Sequence, residues 1–334
     1  MCHVYAIRLA VVLSLFVGAA QVGLAQLRLP SGWQIEAGIS SHVSGYSGDI
    51  GNRGSYGVLS DTQWHLVQAG GGMSLRAQQR GKRLGWNLDL RRIRIQGADS
   101  ASNNAIAFVR NLHFQNAMTE VSATADWPIV RFGGQLGEWN LTHHFRAMAG
   151  LALLHHAPMA QVDIHNLSYE ALNELGLNTP GQWHDLRALR TEGVDYAQWV
   201  MTAPIGLSYT LSAHSGSGKP WHLTLTGLWR FTQTDQLDDI GSQYSDPWKM
   251  SPLGLALSSQ SNPDDMPPCA EAPNISTYQY QQGLASERQA IRGNAQTNDC
   301  YWTLGLKVAK SLTASSTNVF HRKRFRGQKV ENKR

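Results

Sequence analysis

The chain has 334 residues, of which only 16% are charged, and it contains 32 glycines and 11 tryptophans. The charged fraction is below the quarter that is usual for soluble domains. The net charge is +5, but most of the excess lies in residues 321–334, so the rest of the chain lacks the basic stretches of a nucleic-acid-binding protein. We therefore expect no nucleic-acid partner.

The first 25 residues have the three parts of a secretory signal peptide. Arg8 supplies a basic start, residues 9–20 are apolar, and Gly23-Leu24-Ala25 is a small-x-Ala ending. The apolar run is too short for a transmembrane helix, and no other stretch approaches 18 uninterrupted apolar residues. We predict a signal peptide at 1–25 with cleavage after Ala25. The exported chain is then either a soluble secreted protein or a membrane β-barrel.

Polar and apolar residues alternate over stretches of about ten residues, as is typical of transmembrane β-strands. In the clearest case Trp33, Ile35 and Ile39 alternate with Gln34 and Glu36. A change of phase at 91–93 predicts a β-bulge in the third strand. The predicted strands cover 33–43, 65–77, 83–96, 112–127, 139–154, 196–212, 220–233 and 301–312.

The connections between these strands alternate between long and short, as expected for outer loops and periplasmic turns. The chain is therefore predicted to be all-β, an eight-stranded antiparallel outer-membrane barrel at 26–312 with both mature termini in the periplasm. A basic periplasmic tail at 313–334 is too polar to fold alone. A soluble β-sandwich, the alternative, predicts no such alternation. Tryptophans near strand ends fit an aromatic girdle: Trp33, Trp86, Trp139, Trp199, Trp221, Trp229 and Trp302.

The residues predicted to face the barrel interior carry both signs of charge. Eight strands enclose a space that side chains fill, and buried charges need partners. We therefore predict a network of paired side chains and no aqueous channel. The predicted inward set is Gln34, Glu36, Gln68, Arg76, Asp89, Glu120, Asp126, Arg230 and Lys307.

Removal of the signal peptide leaves two cysteines, Cys269 and Cys300. An even pair in an oxidising compartment predicts a disulfide between a long outer loop and the last strand. Two free thiols are the alternative.

Two groups of side chains could take part in chemistry, namely paired histidines and carboxylates in predicted loops. The histidine pairs 143–144 and 155–156 each offer one inward ligand, because adjacent strand residues face opposite sides. No CxxC or HExxH motif accompanies them, so we expect no metal and no cofactor. Asp238, Asp239 and Glu192 would serve a surface protease only with a second carboxylate or histidine within hydrogen-bond reach. We expect them to cap turns or hold loops, and we expect no enzymatic activity.

A cationic collar is predicted at the outward end of strands three and four, where guanidinium groups would meet lipopolysaccharide phosphates. An inward-facing or solvated set is the alternative. Its members are Arg91, Arg92, Arg94 and Arg110.

Several segments together resemble the PorG-like outer-membrane β-barrels of type IX secretion and gliding systems. They follow one another across almost the whole mature chain, although Cys300 and the basic tail depart from the family pattern. They are YSGDI at 46–50, RIQGADS at 94–100 with RNLHF at 110–114 and EVS at 120–122, LRALRTEG at 186–193, TDQLDDI at 234–240 with Tyr244, and RGN at 292–294 with ND at 298–299.

The resemblance implies a non-enzymatic component of a protein secretion machine that anchors a periplasmic ring of lipoprotein and partner subunits to the outer membrane. A stand-alone barrel with a small-solute, adhesion or surface-enzyme role is the alternative. With the ring in the periplasm, we expect the partner contact on the predicted 128–138 turn and the tail, the latter acting through salt-sensitive attraction to an acidic surface. Trp127 belonging to the girdle and a merely solvated tail are the alternatives. The predicted contact residues are Trp127, Ile129, Val130, Arg322, Lys323, Arg324 and Arg326.

Overall fold

The computed structural model describes residues 32–51, 62–102, 107, 110–162, 181–215, 218–241, 243–246, 249–258, 260, 292–293 and 297–313. These residues form one antiparallel sheet with a few short helical turns. No helix in this described part is long and apolar enough to cross a membrane.

The described residues contain ten strands, in agreement with the predicted all-β class. They are β1 (Trp33–Ser47), β2 (Gln68–Gln79), β3 (Gly85–Ala98), β4 (His113–Leu136), β5 (Trp139–His155), β6 (Pro158–Gln161), β7 (Trp183–Asp185), β8 (Trp199–Ser215), β9 (Trp221–Thr232) and β10 (Cys300–Ser311). The helices are α1 (Leu186–Leu189) and α2 (Pro252–Ser258), with 3-10 turns at Trp64–Leu66 and Asp99–Ala101.

The eight long strands close into a ring, because β1 pairs with β10 and β3 pairs with β4. Following cross-strand partners once around the ring from Ile35 leads back to β1 at Gly45, a stagger of ten residues. Closure of this kind gives each of the eight long strands a neighbour on both sides. The path runs through Ile35, Ala77, Trp86, Ala125, Ala149, Ile205, Trp229, Trp302 and Gly45.

The two ends of the ring differ in their connections. At one end, which we call the turn end, lie the short connections 80–84, 137–138 and 216–220 together with the start of β1 and the end of β10. At the other, the loop end, lie the long connections 48–67, 99–112, 156–198 and 233–299. The predicted alternation of long and short connections is therefore found. The short strands β6 and β7, which were not predicted, extend the sheet at the loop end beside β4.

Two predicted details are wrong. β3 pairs with both neighbours without a bulge, and the change of phase at 91–93 occurs because Ile93 and Ile95 point into the ring where polar residues were expected. The bulge lies instead in β4, between Pro128 and Val130. The predicted 128–138 turn is mostly strand, since β4 continues to Leu136 and only residues 137–138 turn.

Candidate functional site

The turn-end half of the interior is filled by paired charges. The Arg76 guanidinium donates two hydrogen bonds to Asp126, of 2.7 and 2.9 Å, and a third of 3.1 Å to Glu36. Asp126 also accepts from Asn87 at 2.9 Å and lies 3.3 Å from the Arg146 guanidinium. Because β3 lies between β2 and β4, the Arg76–Asp126 bonds cross the interior and are not ordinary neighbour contacts.

A second charge pair occupies the middle of the ring. Arg230 on β9 donates to both Glu120 oxygens on β4, at 2.5 and 3.0 Å, and to Thr303 at 2.8 Å. The Tyr301 hydroxyl donates to the same carboxylate at 2.7 Å. Arg230 and Glu120 have no solvent exposure, so each charge depends on the other for its stabilisation.

A polar cavity adjoins the Arg76–Asp126 network, and its lining also includes Glu36, Asp89, Arg91 and Lys307. Above the Glu120–Arg230 pair, the loop-end half of the interior is apolar. Its buried side chains pack into one cluster that includes Ile93, Ile95, Phe114, Met118, Leu154, Leu237 and Ile240. In the described interior, one half therefore holds charged and polar side chains around a cavity, and the other half holds packed hydrocarbon.

Above this apolar core, one tyrosine joins three parts of the chain. The Tyr46 hydroxyl, on β1, lies 2.5 Å from Asp238 Oδ2 and 2.9 Å from Asp299 Oδ1. A phenol has a single proton, so completing both contacts requires a proton on one of the two carboxyl groups. A Cβ at Gly48 would collide with the Asp299 and Tyr46 side chains, so this approach requires glycine.

The surroundings favour that shared proton. Burial, reinforced by the charge of Asp49, raises the pKa of Asp238 to about 7, although hydrogen bonds from Tyr46 and the Ile240 amide oppose the rise. Burial and the charge of Asp238 raise the pKa of Asp299 well above its ordinary value. Each carboxyl group also accepts backbone donors: Asp238 from the Ile50 and Ile240 amides, and Asp299 from the Leu237 amide.

A second set of contacts, beside those of Tyr46, is centred on Arg292. Its guanidinium donates to the Asp239 carbonyl at 2.6 Å and to Glu192 at 3.3 Å. The Asp239 carboxylate accepts from Thr191 and, at 2.8 Å, from the Tyr196 hydroxyl. Burial raises the pKa of Asp239 to about 6, while the positive charge of Arg292 lowers it in part.

Arg110 links these groups to the loop after β3. It donates to both Asp99 carboxylate oxygens, at 2.7 and 2.9 Å, and to the Arg292 and Asp49 carbonyls at 2.5 and 2.8 Å. Asp99 also accepts from the Gly51 amide at 2.8 Å. We refer to the whole assembly as the loop-end cluster: Tyr46, Asp99, Arg110, Glu192, Asp238, Asp239, Arg292 and Asp299.

The loop-end cluster unites the five sequence segments on which the family resemblance rests. Tyr46, Asp99 with Arg110, Glu192, Asp238 with Asp239, and Arg292 with Asp299 each come from a different one of them. Sequence reasoning named these segments but missed that they meet. The available signal was that each of these segments lies next to the end of a predicted strand.

The arrangement gives little support to catalysis. Asp238 and Asp299 are the carboxylate pair that a surface protease would need, but each is only 1% exposed. Among the described residues no three His, Cys, Asp or Glu side chains are grouped to hold a metal ion. Of the adjacent histidines, His143 stacks on Phe132 and contacts the Tyr209 hydroxyl at 2.7 Å.

The outward face of the ring is apolar. Leu88, Leu151 and Leu207 are 52%, 59% and 62% exposed, which is unusual for large aliphatic side chains in such number. The exposed belt also contains Leu75, Trp86, Leu90, Val121, Leu153, Ile205, Leu223, Leu225, Leu304 and Leu306.

The four arginines predicted as a collar do not form one. Strand alternation places Arg91 in the interior, 3.5 Å from Asp89, and Arg110 is committed to Asp99. Only Arg92 and Arg94 are exposed on the outward face of β3, directly beyond Leu90 toward the loop end. Arg92 donates to Thr119 at 2.7 Å.

The predicted partner-contact residues divide between two regions. Trp127, Ile129 and Val130 are exposed, but they lie on β4 and not in a turn. The other four, Arg322, Lys323, Arg324 and Arg326, lie outside the described residues.

The predicted disulfide cannot be followed in the structure because Cys269 also lies outside the described residues. Cys300, at the start of β10, has no disulfide partner within the described part of the chain. The pairing stays a prediction.

Comparisons with known proteins identify no family. No protein-family profile matches the chain, and no curated protein is significantly similar to it. Among solved structures, a crystal structure of Neisserial surface protein A is similar, with 11% identity and a TM-score of 0.31. The match covers 84% of this chain and 97% of that one.

Proposed function

We propose that this chain is an outer-membrane β-barrel whose role is structural. The observation that carries the proposal is its inverted distribution of polarity. Charged side chains, several of them joined in buried ion pairs, line the interior, and a belt of exposed leucines and tryptophans covers the outside. A closed strand ring with an apolar exterior is the arrangement by which β-structure satisfies its backbone within lipid.

A structural role is favoured over a channel because of what fills the ring. Bonds between strands that are not neighbours, Arg76–Asp126 and Arg230–Glu120, cross the interior at two levels. The apolar core and the loop-end cluster lie on the loop-end side of these bonds. Opening a path for solutes would require breaking buried ion pairs, which is energetically costly.

We further propose that the barrel is a non-enzymatic component of a type IX protein secretion machine, anchoring periplasmic ring lipoprotein and partner subunits. The support is the resemblance of five sequence segments, strengthened by their convergence on one cluster of buried contacts. On this proposal the loop end faces outward toward lipopolysaccharide. The turn end, both mature termini and the 313–334 tail face the periplasm.

A stand-alone barrel with a surface-enzyme role is the second candidate, since Asp238 and Asp299 share one tyrosine hydroxyl, and closely spaced carboxyl groups of this kind serve as general acid and base in enzymes. Their burial weighs against it, because a substrate would reach them only after the loops above them moved.

The experiment that separates these candidates is recovery of the tagged protein from crosslinked membranes. Stoichiometric recovery of periplasmic ring subunits supports the secretion role, and recovery of the barrel alone contradicts it. Fractionation to the outer membrane and a heat-dependent gel shift test the barrel itself. A variant lacking 313–334 should keep the gel shift but recover fewer of the periplasmic partner subunits, most visibly at raised salt.

A further inference from the structure

One part of the ring extends well beyond the rest at the turn end. The pairing between β3 and β4 ends at Gly85 and Asp126, but β4 continues for ten more residues to Leu136. Over that length β4 pairs only with β5, which in turn pairs with β8. We call residues 127–147 the projecting hairpin. Nothing in the described part of the chain lies as a strand against its other side.

The outer edge of the projecting hairpin therefore presents unpaired backbone N–H and C=O groups. Exposed strand edges attract other strands, and proteins usually protect them with charges, prolines or covering loops. Here Pro128 and the adjacent bulge protect only the first residues. The remaining segment, 130–136, continues as a regular strand with two glycines, Gly133 and Gly134, that leave room at the edge.

The two faces of this edge differ in chemistry. On the face continuous with the outside of the ring, Phe132 and Leu136 are 51% and 68% exposed, with Trp139 beside them on β5. Alternation places Arg131 and Gln135 on the opposite face. A strand added here would meet hydrocarbon on one side and a cation on the other.

The charges around the open edge of β4 indicate what kind of strand can pair with it. Across the open edge lies the β2–β3 turn, which carries Arg80, Lys82 and Arg83, whereas Glu138 is the single acidic residue of the projecting hairpin. The chain's own end, residues 321–334, has seven Lys or Arg against one Glu and would be repelled. A second copy of the hairpin would bring the same positive charges together.

We propose that the open edge of β4, residues 130–136, binds an extended acidic segment of a periplasmic partner protein by strand addition. The segment alternates apolar residues, packed beside Phe132 and Leu136, with carboxylates directed toward Arg131 and the β2–β3 turn. Backbone hydrogen bonds supply affinity, and the alternating side chains supply specificity. The periplasmic placement of this edge rests on the proposed function, but the edge and its charge do not.

The test uses the purified full-length protein in detergent and a synthetic probe. The probe is a ten-residue peptide in which valine and phenylalanine alternate with glutamate, and its control has lysine in place of every glutamate. Binding is measured by fluorescence anisotropy, and amide hydrogen exchange is followed along β4. We expect saturable binding of the glutamate peptide, slowed exchange at 130–136, and at least about tenfold weaker binding of the lysine peptide.

Variants sharpen the test. Arg131→Glu should reverse the preference between the two peptides, and Arg131→Lys should preserve it. Arg92→Glu, on the outward face near the loop end, is the matched control and should change neither binding nor exchange. Each variant is first checked for the heat-dependent gel shift, so that loss of folding is recognised.

Three results would overturn the proposal. Exchange at 130–136 that is unchanged by the glutamate peptide means that the edge does not accept a strand. Slow exchange without peptide that is lost on deleting 314–334 means that the chain's own end occupies the edge. Slow exchange that depends on protein concentration means that a second copy does. Because the test uses purified protein, its failure is distinguishable from failure of membrane location or of the secretion role.

Discussion

Arg230 and Glu120 form a two-point ion pair across the interior of the ring, with no solvent access to either side chain. They come from β9 and β4, which are not neighbours. A buried pair of this kind contributes little net stability compared with apolar residues, but removing one partner leaves an uncompensated charge. The pair therefore matters chiefly through what happens when it is broken.

We expect Arg230→Met to lower the free energy of unfolding by about 3–5 kcal/mol, because Glu120 is then buried without its partner. The measurement is urea unfolding in detergent, followed by tryptophan fluorescence. Asp195→Asn, which breaks the exposed Arg187–Asp195 pair, is the control and should cost about 0–1 kcal/mol. Equal losses in the two variants would contradict the assignment of Arg230 to the core.

The protein should not conduct ions. In planar bilayers the purified protein is expected to give no steady open-channel current, since charge pairs and the apolar core fill the ring. An unrelated outer-membrane porin reconstituted in the same bilayers serves as the positive control. Reproducible steps of the porin's size would show that the filled interior is not the state in the membrane.

Arg92 and Arg94 should bind lipopolysaccharide phosphates. They lie two residues apart on the outward face of β3, beyond the apolar belt and toward the loop end. Guanidinium groups suit phosphate oxygens, so the double variant Arg92→Glu, Arg94→Glu should reduce the lipopolysaccharide that co-purifies. Arg83→Glu, exposed at the turn end, is the matched control. If the unmodified protein, the double variant and the control all retain the same amount of lipopolysaccharide, the two arginines do not bind it.

The loop after β9 should become less stable as pH rises. Neither Asp235 carboxylate oxygen has a hydrogen-bond partner among the described residues. Burial, with the charges of Asp49, Asp238 and Glu192, raises the pKa of Asp235 to about 9. In the unfolded chain the value is about 3.9, so between these two pH values the folded loop holds a proton that the unfolded chain releases. Folding stability is therefore lost progressively from about pH 4 to about pH 9.

Hydrogen exchange of 233–241, corrected for intrinsic rates, should be slower at pH 5 than at pH 8. Asp235→Asn keeps the shape of the side chain without the charge, and should remove most of the dependence above the Asp238 pKa of about 7. Asp195→Asn, on an exposed pair elsewhere, should leave the dependence intact. A wild-type loop that is equally protected at both pH values would argue against a protonated Asp235.

The number of strands in the ring follows from the sequence because alternation with a period of two is a local property. The predicted 33–43 and 139–154 strands, for example, correspond to Trp33–Ser47 and Trp139–His155. Alternation tells which face a residue occupies but not what that face contacts. Ile93 departs from the polar pattern of the inward face because the interior changes from polar to apolar at its level.

The length of β4 was underestimated for a related reason. Proline and glycine usually mark the ends of strands, and the 128–138 segment contains Pro128 and the Gly133-Gly134 pair. Both are tolerated here because β4 has only one neighbour beyond Asp126. The contacts of Tyr46 with Asp238 and Asp299 were beyond prediction, since 192 and 253 positions separate the partners and no local pattern encodes such pairs.

Tyr46 also has a consequence for how the ring is completed. Among the described strands it lies on the first to be synthesised, while Asp299 directly precedes the last of them, so their contact forms only after β1 and the segment before β10 have met. A chain halted before Asp299 lacks both the β1–β10 ladder and the second carboxyl group that contacts Tyr46, so the loops at the loop end are held by fewer contacts. The contact between Tyr46 and Asp299 therefore forms only in the closed ring. Pairing of β1 with β10 and ordering of the loops then occur together.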